Sequence, residues 1–175
     1  VISFAIICDS KGGVFFRQER VTQYGRKFKI FKFRTMVADA EKLGTQITVK
    51  DDKRVTGIGK TLRKYRLDEI PQLINIIAGD MSFVGTRPEV EKYVNRYSSE
   101  MYATLLLPAG VTSEASIMYK DEEKLLAVKE SVDDVYVSKV LPGKMEYNLG
   151  SLRDFSFSKE ILTMTRTLFA VVKEG

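Results

Sequence analysis

Residues 63–88 read RKYRLDEIPQLINIIAGDMSFVGTRP. Leu67, Ile70, Ile74 and Ile77 recur at helical spacing and Leu73 widens the stripe, which predicts a helix with this apolar face buried. Pro71 has no N–H to donate and is at ease only in a first helical turn. The adjacent carboxylates Asp68 and Glu69 therefore fall at or just before the helix start, and Gly79 is its stop. A helix N-terminus keeps carboxylates ionised and attracts phosphate. Two readings of the pair follow. Asp68 is an N-cap and Glu69 a first-turn acid, or the two are a nucleophile or metal ligands facing a phosphorylated substrate. Arg63, Lys64 and Arg66 upstream and Arg87 downstream are more cations than capping requires.

The 175 residues are 44% hydrophobic and 29% charged, the balance of one folded domain with a real core. There is no histidine. That excludes Ser-His and Cys-His nucleophile pairs and histidine metal sites, leaving carboxylates, Lys, Arg, Tyr or a hard cation for chemistry. The single Cys8 excludes an internal disulfide framework and a cysteine zinc cluster. Residues 1–66 hold 16 Lys/Arg against 6 Asp/Glu, while residues 67–175 hold 12 against 17. A basic first third faces nucleic acid, anionic lipid or a phosphorylated substrate, and charge alone does not choose.

Val1–Ile7 is an apolar run, too short for a spanning helix of about 20 residues, and reads as a buried strand or helix end. Val14–Tyr24 and Lys27–Arg34 read as strands of a hairpin turning at Gly25-Arg26. Alternation puts Phe28, Ile30, Lys32 and Arg34 on one face and Phe31 and Phe33 on the other. That is either a strand running from the core into a site or a solvated edge strand. Helices are expected over Val37–Leu43 with a stop at Gly44, over Ile58–Tyr65, and over a long amphipathic stretch from Pro88 to Leu106 with Val90, Tyr93, Val94, Tyr97 and Met101 inward. Residues 46–54 read as a loop, and Leu107–Tyr119 as a loop or short strand covering the site. Short helices follow over Asp121–Lys129 and Asp133–Val140, then a final amphipathic helix over Phe157–Lys173. Gly59-Lys60-Thr61 is not a P-loop end, because Arg54 stands where the motif needs glycine. Asp80, just past Gly79, is read as structural.

LDEIPQLINIIAGDMSFVGTRP resembles the signature of the bacterial sugar transferases, the monotopic phosphoglycosyl transferases. The likeness extends through VFFRQERV (14–21), KFRTM (32–36), the DEE segment at 121–123 and VLPGKM (140–145). It implies an α+β fold: a helix-rich single domain over residues 1–175 with a small antiparallel hairpin unit. The domain would rest on the cytoplasmic face of a bacterial inner membrane, with Val1–Ile7 as the remnant of an N-terminal re-entrant helix. The implied reaction moves a sugar 1-phosphate from a nucleoside diphosphate sugar, usually a UDP-sugar, to polyprenyl (undecaprenyl) phosphate, initiating a surface glycan. Asp68 would be the nucleophile, with Mg2+ held by Asp68 and Glu69, and Lys32, Arg34, Arg63 and Arg87 would meet the phosphates. Lys11, Arg17 and Arg20 would face anionic membrane lipid, and no nucleic acid is involved. Thr86 departs from the family's usual proline, and Thr112-Ser113-Glu114-Ala115-Ser116 departs from its usual sugar-side loop. Two rivals are a basic nucleic-acid-binding module and a catalytically silent membrane-surface scaffold.

Overall fold

The computed structural model describes residues 1–43, 47–48, 52–126 and 131–172. The Gly44 stop and parts of the 46–54 loop, of the Asp121–Lys129 helix and of the last helix's end lie outside them. The hairpin forms as the alternation predicts. Strand β1 (Phe15–Val21) pairs antiparallel with β2 (Lys27–Phe33), Gln18 opposite Ile30 and Phe16 opposite Lys32. Its inner face runs from buried Phe28 and Ile30 to Lys32 and Arg34. On the outer face Phe15 stacks on Phe33.

Helix α1 (Ile2–Asp9) buries Ile6 while Phe4 and Ile7 stay exposed. Asp9 accepts from the Ile58 N–H of α2 (Gly57–Lys64), which joins the two helices. The short segment before α2 is a single 3-10 turn, Ala40–Leu43. Thr56 caps α2 through the Gly59 N–H.

The central helix, α3 (Gln72–Ile77), starts after Pro71 and ends at Gly79, whose φ is 77°. The Asp80 N–H returns to the Asn75 carbonyl, closing the end as a glycine stop should. Its predicted buried face is wrong. Ile70, Leu73 and Ile74 are about half exposed and Ile77 is 88% exposed, whereas Gln72 and Asn75 are 1% exposed. The reason is the open edge of β2. Asn75 Oδ1 accepts from the Phe31 N–H at 2.9 Å, and Asn75 Nδ2 donates to the Lys29 carbonyl at 3.0 Å. One amide thus supplies the acceptor and the donor that a neighbouring strand would have supplied, and buried backbone groups demand both. Ile76, outside the predicted stripe, is the α3 residue that packs with Phe28, Ile30 and Met81.

Strand β3 (Met81–Val84) follows, and its partner is β4 (Ala109–Thr112) in a parallel pair that the sequence reading did not contain. The long helix from Pro88 to Leu106 is also absent. Instead α4 covers only Glu91–Val94, and Met101–Leu106 is a 3-10 segment. Asn95 and the Ser98-Ser99 pair let the chain turn, and Ser and Asn compete with helical hydrogen bonding. The inward stripe survives this break: Val90, Tyr93, Val94 and Tyr97 are all buried. They form the main core with residues of α7 (Val132–Val135), of α8 (Leu141–Arg153) and of the π-turn Tyr136–Val140 between those two helices. Two short helices, α5 (Glu114–Met118) and α6 (Glu122–Leu125), precede them. The last helix, α9 (Phe157–Val172), lies against β3, β4 and α5. Mixed helices and small sheets make the fold α+β.

Candidate active site

Leu67–Glu69 is one 3-10 turn between α2 and α3, entered through Arg66 in the left-handed region. The turn sets Asp68 and Glu69 at the mouth of α3, as Pro71 requires. Their carboxylates line a cavity of about 820 Å³, and Lys32, Arg34, Arg63 and Arg87 line it too. All six residues expected from the sequence are therefore brought to one cavity. Among its described lining residues, eleven Lys and Arg stand against six Asp and Glu. A cleft so biased suits a polyanion.

The two carboxylates are treated differently. Glu69 accepts from Arg87 Nη2 at 2.6 Å and from Arg87 Nη1 at 3.0 Å, a two-point fork, and Lys32 Nζ adds a third contact at 3.2 Å. Burial works to raise its pKa, but the charges of Arg87 and Lys32 outweigh it and hold the group well below the usual carboxylate range. Asp68 is 8% exposed and makes no hydrogen bond or ion pair to any described residue. Its pKa is raised by burial, opposed chiefly by the charge of Lys32. One carboxylate is tied down, and its neighbour is poised.

Arg87 is fixed by the parallel pair. Gly85 N–H reaches the Thr112 carbonyl and Gly110 N–H the Thr86 carbonyl, while Arg87 Nη1 also donates to the Val111 carbonyl at 3.1 Å. Pro88 does not open a helix directly, since α4 begins three residues later. Lys32 reaches the site from the inner face of β2. Arg63 extends from α2 to the hydroxyls of Thr35 and Thr48. Arg34 lines the cavity, but its guanidinium holds the Ser10 hydroxyl and the Ser10 and Gly13 carbonyls, so it anchors the chain after α1. Asp80 is structural, as read: it binds Arg26 at 2.8 Å and links the hairpin turn to the end of α3.

Sequence reasoning missed the back wall. Lys144, from α8, meets Glu122 at 3.1 Å and the Tyr136 hydroxyl at 3.2 Å, and lies 3.7 Å from Glu89. Tyr136 also donates to Glu89. Arg20, expected to face lipid, turns inward instead: Nη1 donates to the Pro88 carbonyl and lies 4.0 Å from Glu89. Arg17 lies over the Phe31 ring. The VLPGKM segment, quoted for its family likeness, contains Lys144, but only the fold brings it to Glu89.

Among the described residues no three His, Cys, Asp or Glu side chains group to hold a metal. Two adjacent carboxylates, one of them without a cation, still fit magnesium, which takes one or two carboxylates and completes its shell with phosphate and water.

The sequence that builds this cavity matches a known family. The family model for bacterial sugar transferases matches residues 1–174, and the chain belongs to that family. It is 32% identical over 168 residues to the UDP-N-acetylgalactosamine-undecaprenyl-phosphate N-acetylgalactosaminephosphotransferase of Aeromonas hydrophila, covering 94% of this chain and 36% of the relative. It is 33% identical over 173 residues to the UDP-glucose:undecaprenyl-phosphate glucose-1-phosphate transferase of Escherichia coli K12, covering 96% and 34%. It is 35% identical over 141 residues to the exopolysaccharide production protein ExoY of Sinorhizobium fredii, covering 72% and 62%. The chain thus spans about a third of the length of the first two relatives.

Proposed function

We propose that this chain transfers a sugar 1-phosphate from a UDP-sugar to undecaprenyl phosphate, through a covalent phosphosugar on Asp68. The observation that carries the reading is the unequal pair: Glu69 held by three charged contacts, and a buried Asp68 carboxylate held by none. An Asp68 oxygen attacks the β-phosphorus, and the bond from that phosphorus to the bridging oxygen breaks. UMP leaves with the electron pair. An oxygen of undecaprenyl phosphate then attacks the same phosphorus and expels the carboxylate, giving the diphosphate-linked sugar. An ionised carboxylate needs no general base, which suits a chain without histidine. Arg87 and Lys32 are placed to stabilise charge on the transferring phosphate and the leaving group. Asp68 and Glu69 would hold Mg2+, which when bound neutralises the diphosphate.

We also infer that the protein works at the cytoplasmic face of the bacterial inner membrane. Among the described residues no helix is long and apolar enough to cross a membrane. What supports surface attachment is the outward apolar face of α3, with Phe83 of β3 and Phe157, Ile161, Leu168 and Phe169 of α9 also exposed. Such a face suits an interfacial helix.

The test uses the protein in detergent with Mg2+ and a panel of nucleotide-sugars, without acceptor. Release of up to about one nucleoside monophosphate per active site, with an adduct on the Asp68 peptide, is expected. Asp68→Asn should abolish both. Monophosphate that appears only after polyprenyl phosphate is added would overturn the covalent route. Tight oligonucleotide binding indifferent to Asp68 would favour the nucleic-acid rival.

A further inference from the structure

Arg66 has a backbone that its side chain does not suit. Its φ and ψ are 50° and 23°, a conformation that glycine and asparagine adopt readily and arginine does not. Among the described residues, two other non-glycine residues share a positive φ, Tyr24 and Asp39. Only Arg66 lies beside the carboxylate pair. The turn itself asks nothing of this side chain. Its N–H donates to the Arg63 carbonyl at 3.0 Å and its carbonyl accepts from the Glu69 N–H at 3.2 Å. Both are main-chain bonds that glycine would make equally well.

The side chain lines the cavity and makes no hydrogen bond or ion pair to any described residue. Several other cations of the cavity are occupied. Arg87 and Lys32 hold Glu69, Arg34 holds Ser10 and Gly13, and Lys144 holds Glu122 and Tyr136. Arg66 is still close enough for its charge to be felt at Glu69. A phosphate entering beside Asp68 therefore meets in Arg66 a guanidinium that breaks no contact to receive it. Strained backbone carrying an uncommitted charged group at a reactive site is where function is to be sought.

We propose that Arg66 is a phosphate-binding residue of the site, holding an anionic phosphate oxygen of the substrate next to Asp68. The inference rests on the transferase reading above. Both substrates of that reading carry the same chemistry, a phosphate anion, either in the diphosphate of the nucleotide-sugar or at the head of the polyprenyl phosphate.

Arg66→Gly removes the cation and relieves the backbone, so the variant should unfold at a temperature no lower than wild type while its phosphate affinity falls. Pyrophosphate and UDP binding, measured by calorimetry on the full chain, should weaken by roughly 10- to 100-fold, the range of a hydrogen bond to a charged group. Arg66→Lys should recover part of it. Two kinetic arms then separate the sources. A rise in KM confined to the nucleotide-sugar, read in monophosphate release without acceptor, assigns Arg66 to the diphosphate. A rise confined to polyprenyl phosphate assigns it to the acceptor. Unchanged pyrophosphate and UDP binding in Arg66→Gly, or no binding to wild type, overturns the proposal, as does a lower melting temperature, which would mean the turn needs arginine. Binding is read without turnover, so an inactive wild type that still loses pyrophosphate affinity on Arg66→Gly would sink the transferase reading and leave the phosphate site standing.

Discussion

Arg87 grips Glu69 through both terminal nitrogens, at 2.6 and 3.0 Å, so the site's main cation is neutralised by the site's own carboxylate. In the proposed reaction an arriving phosphate or metal would share this pair. The pairing keeps a high charge density folded, and it leaves Asp68 as the carboxylate without a partner. Arg87→Ala should therefore lower turnover by on the order of 10² to 10³, the usual loss for one charge stabiliser in a closed site. Arg87→Lys should restore little, because an ammonium cannot reproduce the fork. Steady-state rates with folded, thermally stable protein check this, and near-normal turnover in the alanine variant would remove Arg87 from the chemistry.

Glu69→Gln should cost on the order of 3 kcal/mol at neutral pH, since it leaves Arg87 and Lys32 uncompensated. The sign with pH follows from a depressed folded-state pKa. Glu69's contribution is full above its ordinary value of 4.5 and is lost as pH falls below it. Urea unfolding of both proteins from pH 7 down to 3 should show the gap closing on the acid side. A gap that stays constant through that range would contradict it.

In the proposed reaction Asp68 must be ionised to attack, and burial raises its pKa above the ordinary 3.8. The acid limb of kcat/KM should accordingly lie above pH 3.8. Lys32 is the leading charge that opposes this rise, so Lys32→Met should move the limb to still higher pH besides lowering the rate. A pH profile of kcat/KM for the two proteins decides, and a limb that stays in place would show that another group sets it.

The two faces of α3 should answer mutation in opposite ways. Asn75→Ala strips partners from the Phe31 N–H and the Lys29 carbonyl and should cost about 2–4 kcal/mol in unfolding. Ile77→Glu, at an 88% exposed position, should change stability by no more than about 0.5 kcal/mol. It should, however, weaken pelleting with anionic liposomes. Equal stability losses in the two variants would mean that α3 packs the other way round.

Gly59 has no room for a side chain, because a Cβ there would lie 2.1 Å from the Thr35 carbonyl oxygen. That strand end also carries the Thr35 hydroxyl that receives Arg63. Gly59→Ala should push α2 from the hairpin and destabilise by on the order of 3 kcal/mol, with loss of activity beyond the loss of fold. Thermal melting alongside turnover per folded molecule measures both.

What the sequence determined by itself is local. Pro71 put the carboxylates at the helix mouth, Gly79 stopped the helix, and strand alternation carried Phe28 and Ile30 inward and Lys32 to the site. Each depends on backbone geometry within a few residues, and each is found. The tertiary structure alone decided which face of α3 is buried. An apolar stripe states a period, whereas burial depends on the partner surface, and the unpaired edge of β2 called for the Asn75 amide. Tertiary structure also decided where the run after Pro88 breaks, since its apolar residues reach the core across a turn as well as along a helix. It paired β3 with β4 through hydrogen bonds that no local pattern announces, and so held Arg87 on Glu69. It also brought Lys144 and Tyr136 from far along the chain to Glu89, because a buried charge is stable only where folding supplies its counter-charge.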